Sequence, residues 1–229
     1  MNQKSNVIAI DGPVAAGKGT IALLLSERLH GFPLNSGAMY RMLALYCLEH
    51  AIPVQKQHLV VDALQHMTLD LDDQRAYLNG EDVTEKIKRR EIAQLVSKVA
   101  TIGDVRVEMV KRQQEMGRAK MAKGMAVIVE GRDAATKIFP DAVLKVFLTA
   151  RPEVRAKRRF EQMGGKENHT IDYEKILADT NERDNRDYNR TVDPLVKDPK
   201  AHGYFVLDNS DMNEEQTVQA VLDAWKKVQ

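Results

Sequence analysis

Val7-Ile8-Ala9-Ile10-Asp11-Gly12-Pro13-Val14-Ala15-Ala16-Gly17-Lys18-Gly19-Thr20 decides the reading of this chain. Val7 to Ile10 is a short apolar run, mostly β-branched. It predicts a strand buried on both faces, as a parallel sheet requires. From Lys18 to about Leu29 the pattern turns helical. A strand, a glycine-bearing turn and a helix form the setting of a phosphate-binding loop (P-loop). There, glycines let successive backbone N–H groups curl around phosphates. The helix N-terminus adds about half a positive charge aimed at the anion. Gly12, Pro13, Val14, Ala15, Ala16, Gly17, Lys18, Gly19 and Thr20 are therefore the candidate binding loop for a nucleoside triphosphate. Lys18 is placed to reach the β- and γ-phosphates. Gly19 follows the lysine where Ser or Thr is usual, so Thr20, one position later, is a candidate Mg²⁺ ligand and no more.

Outward from that loop, strands alternate with helices. Pro33-Leu34-Asn35 reads as a second strand, with a helix from about Gly37 to His50. Val127 to Glu130, Leu144 to Leu148 and Tyr204 to Asp208 read as three more strands. A helix starts near Pro152, and a closing helix runs to about Lys227. The alternation predicts an α/β fold with a parallel five-stranded sheet flanked by helices. Two regions interrupt it. Thr68 to Thr84, with Asn79-Gly80 as a turn signal, predicts a small β-rich insertion. Gly164 to His169, polar and Gly-rich between two charged helices, predicts a mobile flap. Thr84 to Arg118 reads as one long helical stretch.

The 229 residues carry 34 Lys plus Arg against 33 Asp plus Glu, a net charge of +1. That balance argues against a generic electrostatic nucleic-acid binder. The single cysteine, Cys47, reads as a buried small hydrophobe in a reducing cytoplasm. The longest apolar run, Met42 to Leu48, is far short of the about 20 residues that span a bilayer. No signal peptide is visible at the N-terminus. The expectation is a cytoplasmic protein with no membrane partner. The six histidines show no metal-ligand spacing.

Phosphoryl transfer is mostly positioning and charge neutralisation, so cations near the loop carry weight. Arg183, Arg186 and Arg190 are spaced i, i+3, i+7, and Arg155 and Arg159 i, i+4, which puts each set on one helix face. The plainer alternative is a solvated helix laced with pairs such as Glu182–Arg186 and Arg183–Asp187. Ser36 and Arg41 follow a strand end, where an α/β sheet places ligands; a Ser N-cap and a surface Arg are the alternative. Glu130 also ends a strand and could hold Mg²⁺ through water. The chain contains no Asn-Lys-x-Asp and no Asp-x-x-Gly, which disfavours a GTPase.

Gly-Lys-Gly-Thr in the loop resembles the nucleoside monophosphate kinases. Four more segments narrow the likeness: Asn35 to Arg41, Gly131-Arg132-Asp133, Arg183 to Arg190 and Asp193-Pro194-Leu195. In this order they resemble the bacterial cytidylate kinases of the long form, over nearly the whole chain. The resemblance implies ATP plus CMP or dCMP giving ADP plus CDP or dCDP with Mg²⁺, the ion being held mainly by ATP phosphates and water, with Thr20 and Glu130 the candidate protein ligands named above. It implies an NMP-kinase-like fold and a monomer. Residues 1–52 and 96–229 would form the core, 53–95 the monophosphate-binding insertion, and roughly 155–190 the lid. Site roles follow from it: Arg158 toward ATP, and Ser36, Arg41, Ser97, Arg106, Arg132, Asp133, Arg183, Asp187 and Arg190 toward CMP. Lys18, Arg159, Arg183 and Arg186 are assigned to the transferred group. Arg132 and Asp133 would read the cytosine edge, the alternative being a structural pair between them. Asn35 and Ala134-Ala135 depart from the commoner pattern, Asp and Gly-Thr. Two rivals remain: another P-loop small-molecule kinase, and a non-catalytic ATP-binding module.

Overall fold

Side chains on a strand alternate between faces, and β1 (Val7–Asp11) uses both. Val7 and Ala9 enter one apolar cluster, Ile8 and Ile10 the other. The computed structural model describes residues 6–72, 74–168 and 171–229. Five strands lie parallel in the order β2 (Phe32–Asn35), β6 (Val127–Glu130), β1, β7 (Leu144–Thr149), β8 (Phe205–Asp208). β1 is central, so its C-terminal end opens between two neighbours. Helices α1 (Lys18–Leu29) and α8 (Glu214–Val228) cover one face through Leu25, Val221 and Trp225. On the other lie α2 (Ser36–Glu49) and α5 (Gly103–Met121), with Met39, Leu43, Val105 and Met109 inward.

After α3 (Gln57–Ala63) come three short antiparallel strands, β3 (Leu69–Leu71), β4 (Ala76–Leu78) and β5 (Glu81–Asp82). Asn79 and Gly80 both have positive φ, 51° and 82°, as the tight turn after β4 requires. Leu71, Ala76, Leu78 and Val83 join the same cluster as α2 and α5, so the β-rich segment shares the main core.

The single helix expected over Thr84 to Arg118 is instead a 3₁₀ turn at Lys86–Lys88, α4 (Arg90–Val99) and α5. The chain breaks at Ile102, whose extended backbone (φ −78°, ψ 116°) turns its side chain into the core. Helices α6 (Pro152–Gln162) and α7 (Tyr173–Asn189) pack side by side. Gly164 and Gly165, both with positive φ, lead out of α6 into a 3₁₀ turn, Gly165–Glu167. His169, the last residue of the expected flap, lies outside the described residues. Tyr204 precedes β8 instead of starting it, and is buried. Cys47 is buried as expected, and burial pushes its thiol up to about 11. Among the described residues no helix is long and apolar enough to cross a membrane.

Candidate active site

A cleft of about 1610 Å³ opens at the C-terminal ends of β1, β2 and β6. Single-ligand pockets span about 300–1,000 Å³, so it has room for two nucleotides.

Val14, Ala15, Gly17, Lys18, Gly19 and Thr20 line one end; Gly12, Pro13 and Ala16 lie behind them. Gly12 (φ 151°) passes so close to β7 that a Cβ there would stand 2.0 Å from the Leu148 carbonyl oxygen. Ala15 (φ 57°) and Gly17 (φ 91°) take the left-handed conformations that curl the loop. Among the described residues no side chain caps α1, which starts after Gly17, and its first turn holds no acidic residue. Its leading N–H groups therefore need an external acceptor, which an anion supplies. Lys18 Nζ donates to the Gly12 and Pro13 carbonyls at 2.9 and 2.7 Å. Burial, with the charge of Arg132 added, pulls its ammonium down to about 7.

Arg158 holds Asn209 by two bonds, Nη1 to Oδ1 at 3.0 Å and Nη2 to the carbonyl at 2.8 Å. Asn209 Nδ2 in turn donates to the Ala16 carbonyl at 3.2 Å, so the loop after β8 braces the P-loop from behind. Sequence reasoning missed Asn209. Its one signal was a place just past a strand end, where α/β sheets bind ligands.

At the other end, Ser36, Arg41, Ser97, Arg106, Arg132, Asp133, Arg183, Arg186, Asp187 and Arg190 all line the cleft. Asn35, not Ser36, caps α2, with Oδ1 accepting from the Ala38 N–H at 2.8 Å. An amide oxygen serves that role as a carboxylate would. Ser36 Oγ reaches across the sheet to donate to the Glu130 carbonyl at 2.7 Å. Gly131 makes this approach possible, since a Cβ there would stand 2.6 Å from Ser36 Oγ. Arg41 donates to the Ile87 carbonyl at 2.9 Å, tying α2 to the segment before α4. Ser97 Oγ donates to the Gln94 carbonyl on its own helix.

Arg132 and Asp133 do not pair with each other. Arg132 Nε takes Asp187 Oδ2 at 2.6 Å, whereas Asp133 is gripped by Arg106 Nη2. Arg106 Nε also takes Asp193 Oδ2 at 2.7 Å, and Lys137 reaches the second Asp193 oxygen at 3.2 Å. Burial alone would raise the Asp193 carboxyl; these two cations hold it below its usual value instead. The backbone N–H groups of Ala134 and Ala135 open a π-helical turn, Ala134–Ile138, and donate to the Asp11 carboxylate at 2.7 and 2.9 Å. That turn had no sequence signal. Tyr40 also went unnoticed. Its ring lies under the Arg106 guanidinium, 5.7 Å from the centroid, and its buried hydroxyl has no hydrogen-bond partner among the described residues.

The arginines crowd together. Burial, then the charges of Arg159 and Arg183, lower the pKa of Arg41; burial, then Arg159 and Arg186, lower that of Arg183. Arg159 is off the cleft wall but acts on both. Arg186 meets Glu182 at 3.7 Å, the pair the plainer reading foresaw, and still reaches the cleft. Arg190 Nε donates to the Asp193 carbonyl at 2.6 Å, while its buried Nη2 has no hydrogen-bond partner among the described residues. Like charges gathered in partial burial destabilise the site until an anion neutralises them.

A family model described as Cytidylate kinase matches residues 8–227. The chain belongs to the cytidylate kinase family. Curated cytidylate kinases agree with that. The protein of Caldanaerobacter subterraneus subsp. tengcongensis is 38% identical over 96% of this chain and 94% of its own. That of Bordetella bronchiseptica is 39% identical over 96% and 95%. An uncharacterized protein from Eubacterium ventriosum, solved by crystallography, shares the fold at TM-score 0.55 and 14% identity, over 98% of this chain and 99% of its own. The activity of the cytidylate kinase family is phosphoryl transfer from ATP to CMP or dCMP, which makes its members phosphotransferases.

Proposed function

We propose that this cleft transfers the γ-phosphoryl group of ATP to CMP or dCMP, with the two nucleotides at its opposite ends. The observation that carries the reading is the set of mutually interacting cations Arg41, Arg132, Arg159 and Arg183, of which Arg132 also acts on Lys18 of the P-loop. Transferring a phosphoryl group asks mainly for charge neutralisation along the line of transfer. The monophosphate oxygen is already ionised at neutral pH, so no strong base is required.

The P-loop, with Arg158 and Asn209 behind it, holds ATP. Ser36, Arg41, Arg183 and Arg190 hold the monophosphate, and the 53–95 insertion closes that side through Ile87. Asp133, steered by Arg106, accepts from the exocyclic amine of cytosine; uracil would face it with a second acceptor. Arg132, held by Asp187 near Lys18, sits toward the phosphates. Glu130 fits a role beside Mg²⁺: a Cβ on Gly19 would stand only 3.9 Å from Glu130 Oε1, so this carboxylate borders the loop. Thr20 and Glu130 would hold the ion, directly or through water, and it would shield phosphate charge during transfer. Among the described residues no cluster of three metal-ligating side chains competes with that arrangement. The distal parts of α6 and α7 form the lid, which excludes water. The protein works as a cytoplasmic monomer on small molecules, without nucleic acid or membrane.

The test is ADP release from Mg-ATP with CMP, dCMP, UMP, AMP and shikimate, against a Lys18→Ala control expected to lose about 10²-fold or more in kcat. Fast turnover with CMP and dCMP, weak with UMP and absent with the rest, supports the reading. Turnover only with another acceptor keeps the P-loop assignment and removes the cytosine one.

A further inference from the structure

Val14, the third residue of the P-loop, has both its backbone polar groups taken by side chains from α6 and α7. Its N–H donates to Asp184 Oδ1 at 3.2 Å, and its carbonyl accepts from Arg155 Nη1 at 2.9 Å. Arg155 Nη2 and Asp184 Oδ2 close the circuit at 2.6 Å, with side chains only 4% and 14% exposed. The third Arg155 nitrogen, Nε, donates to the Ala150 carbonyl just past β7 at 2.8 Å. Neither residue lines the cleft. Yet Asp184 lies directly after Arg183 and three residues before Asp187, both of which do.

We propose that Arg155 and Asp184 are positioning residues: they lock the P-loop and the arginine-bearing end of α7 into one body, which keeps donor and acceptor phosphates in register. The proposal rests on the kinase reading above. A guanidinium fork suits the task, because it fixes three acceptors in one plane. Clamping a backbone peptide makes the side chain at position 14 immaterial to the clamp. It also confines closure to the part of the α6–α7 pair beyond the clamp, so the roughly 155–190 segment does not move as a unit. Reacting atoms misplaced by about 1 Å can cost on the order of 10²-fold in rate.

Arg155→Lys, Asp184→Asn and the apolar pair Arg155→Met/Asp184→Leu test this, assayed well below their thermal midpoints. The apolar pair matters because replacing both partners of a buried ion pair often preserves stability. Each substrate keeps its own half-site, so kcat should fall about 10- to 100-fold in all three while both KM values stay within about threefold. The fall should persist in the apolar pair even where its thermal midpoint returns to wild type. Amide hydrogen exchange on the wild-type enzyme gives a second readout: Val14 N–H should exchange as slowly as the β1 amides. A kcat within about threefold of wild type, a kcat that recovers with stability, a loss confined to KM for ATP, or fast Val14 exchange would each overturn the clamp. If wild type does not phosphorylate CMP, the functional reading fails, and Val14 exchange still decides the clamp.

Discussion

The Tyr204 hydroxyl donates to Asp11 Oδ2 at 2.7 Å, joining the residue before β8 to the last residue of β1. Asp11 also receives the Ala134 and Ala135 N–H groups, so one buried carboxylate fixes the root of the P-loop against the turn that carries Asp133. Burial pushes the Asp11 carboxyl up, and its three donors hold it down in part. Tyr204→Phe removes one donor to a charged acceptor, which should cost about 1.5–3 kcal/mol. For a chain of this size each kcal/mol lowers the thermal midpoint by about 2–4 °C. The variant raises the folded pKa of Asp11 further above its unfolded value. Its deficit should therefore be small at pH below the folded pKa of Asp11 in the wild type and grow as pH rises through it. Calorimetry across pH checks this; a deficit independent of pH would remove Asp11 from the account.

Lys18 should take up a proton when ATP binds. Its ammonium sits near pH 7 in the unliganded site because of burial and Arg132, and a triphosphate restores its preference for the charged form. At pH 8 about nine-tenths of a group with that pKa is neutral, so uptake should approach about one proton. Titration calorimetry in buffers of different ionisation enthalpy measures it. Without ligand the sign is opposite. A folded pKa below the unfolded 10.5 gives stability that is present above that value and is lost as pH falls toward about 7. Binding with no buffer dependence would show that Lys18 is already charged.

Asp133→Ala should erode base selection. The ratio of kcat/KM for CMP over UMP should fall by at least about 10-fold, because matched buried donors and acceptors carry discrimination of this kind. Arg106 keeps Asp193 as a partner in the variant, so its charge is not stranded. An unchanged ratio in steady-state assays would place base reading elsewhere.

Gly131→Ala tests the crossing between β6 and α2. The new methyl group would meet Ser36 Oγ at 2.6 Å and displace the bond to Glu130. KM for CMP should rise by about 10-fold with KM for ATP little changed, since a misplaced contact of about 1.4 kcal/mol is one decade. Equal effects on both substrates would argue for general loosening of the sheet end.

The P-loop, the five strands and the arginine face were legible because each rests on local chemistry: a β-branched run before glycines, or charges at helical spacing. Glu182–Arg186 pairs as its spacing suggested, and Asn35 keeps its capping role despite losing the charge of an Asp. What could not be read was pairing across the fold. Arg132 and Asp133 are neighbours in sequence, yet one turns to Asp187 and the other to Arg106. Arg155 looked like a companion of Arg159 on one helix face. Both do lie on α6 at that spacing, but Arg155 also binds Val14, 141 positions away, and no periodicity reports a contact of that range. The extended Ile102 breaks the expected long helix because it is drawn into the core, a tertiary demand that overrides local preference.

The central place of β1 in the sheet bears on the order in which the molecule is built. Its strand partners are β6, which starts at Val127, and β7, which starts at Leu144. At synthesis rates of about 5–20 residues per second, the ribosome needs roughly 7 to 30 s after finishing β1 to finish β7. Until β6 is made, Val7 to Ile10 is an unpaired apolar ribbon, exposed to misassociation and in need of shelter by other parts of the nascent chain or by a chaperone. Nucleotide cannot rescue the growing chain early, since the loop has no bed to lie on. The segment that meets the triphosphate is translated well before the strands that give it its shape.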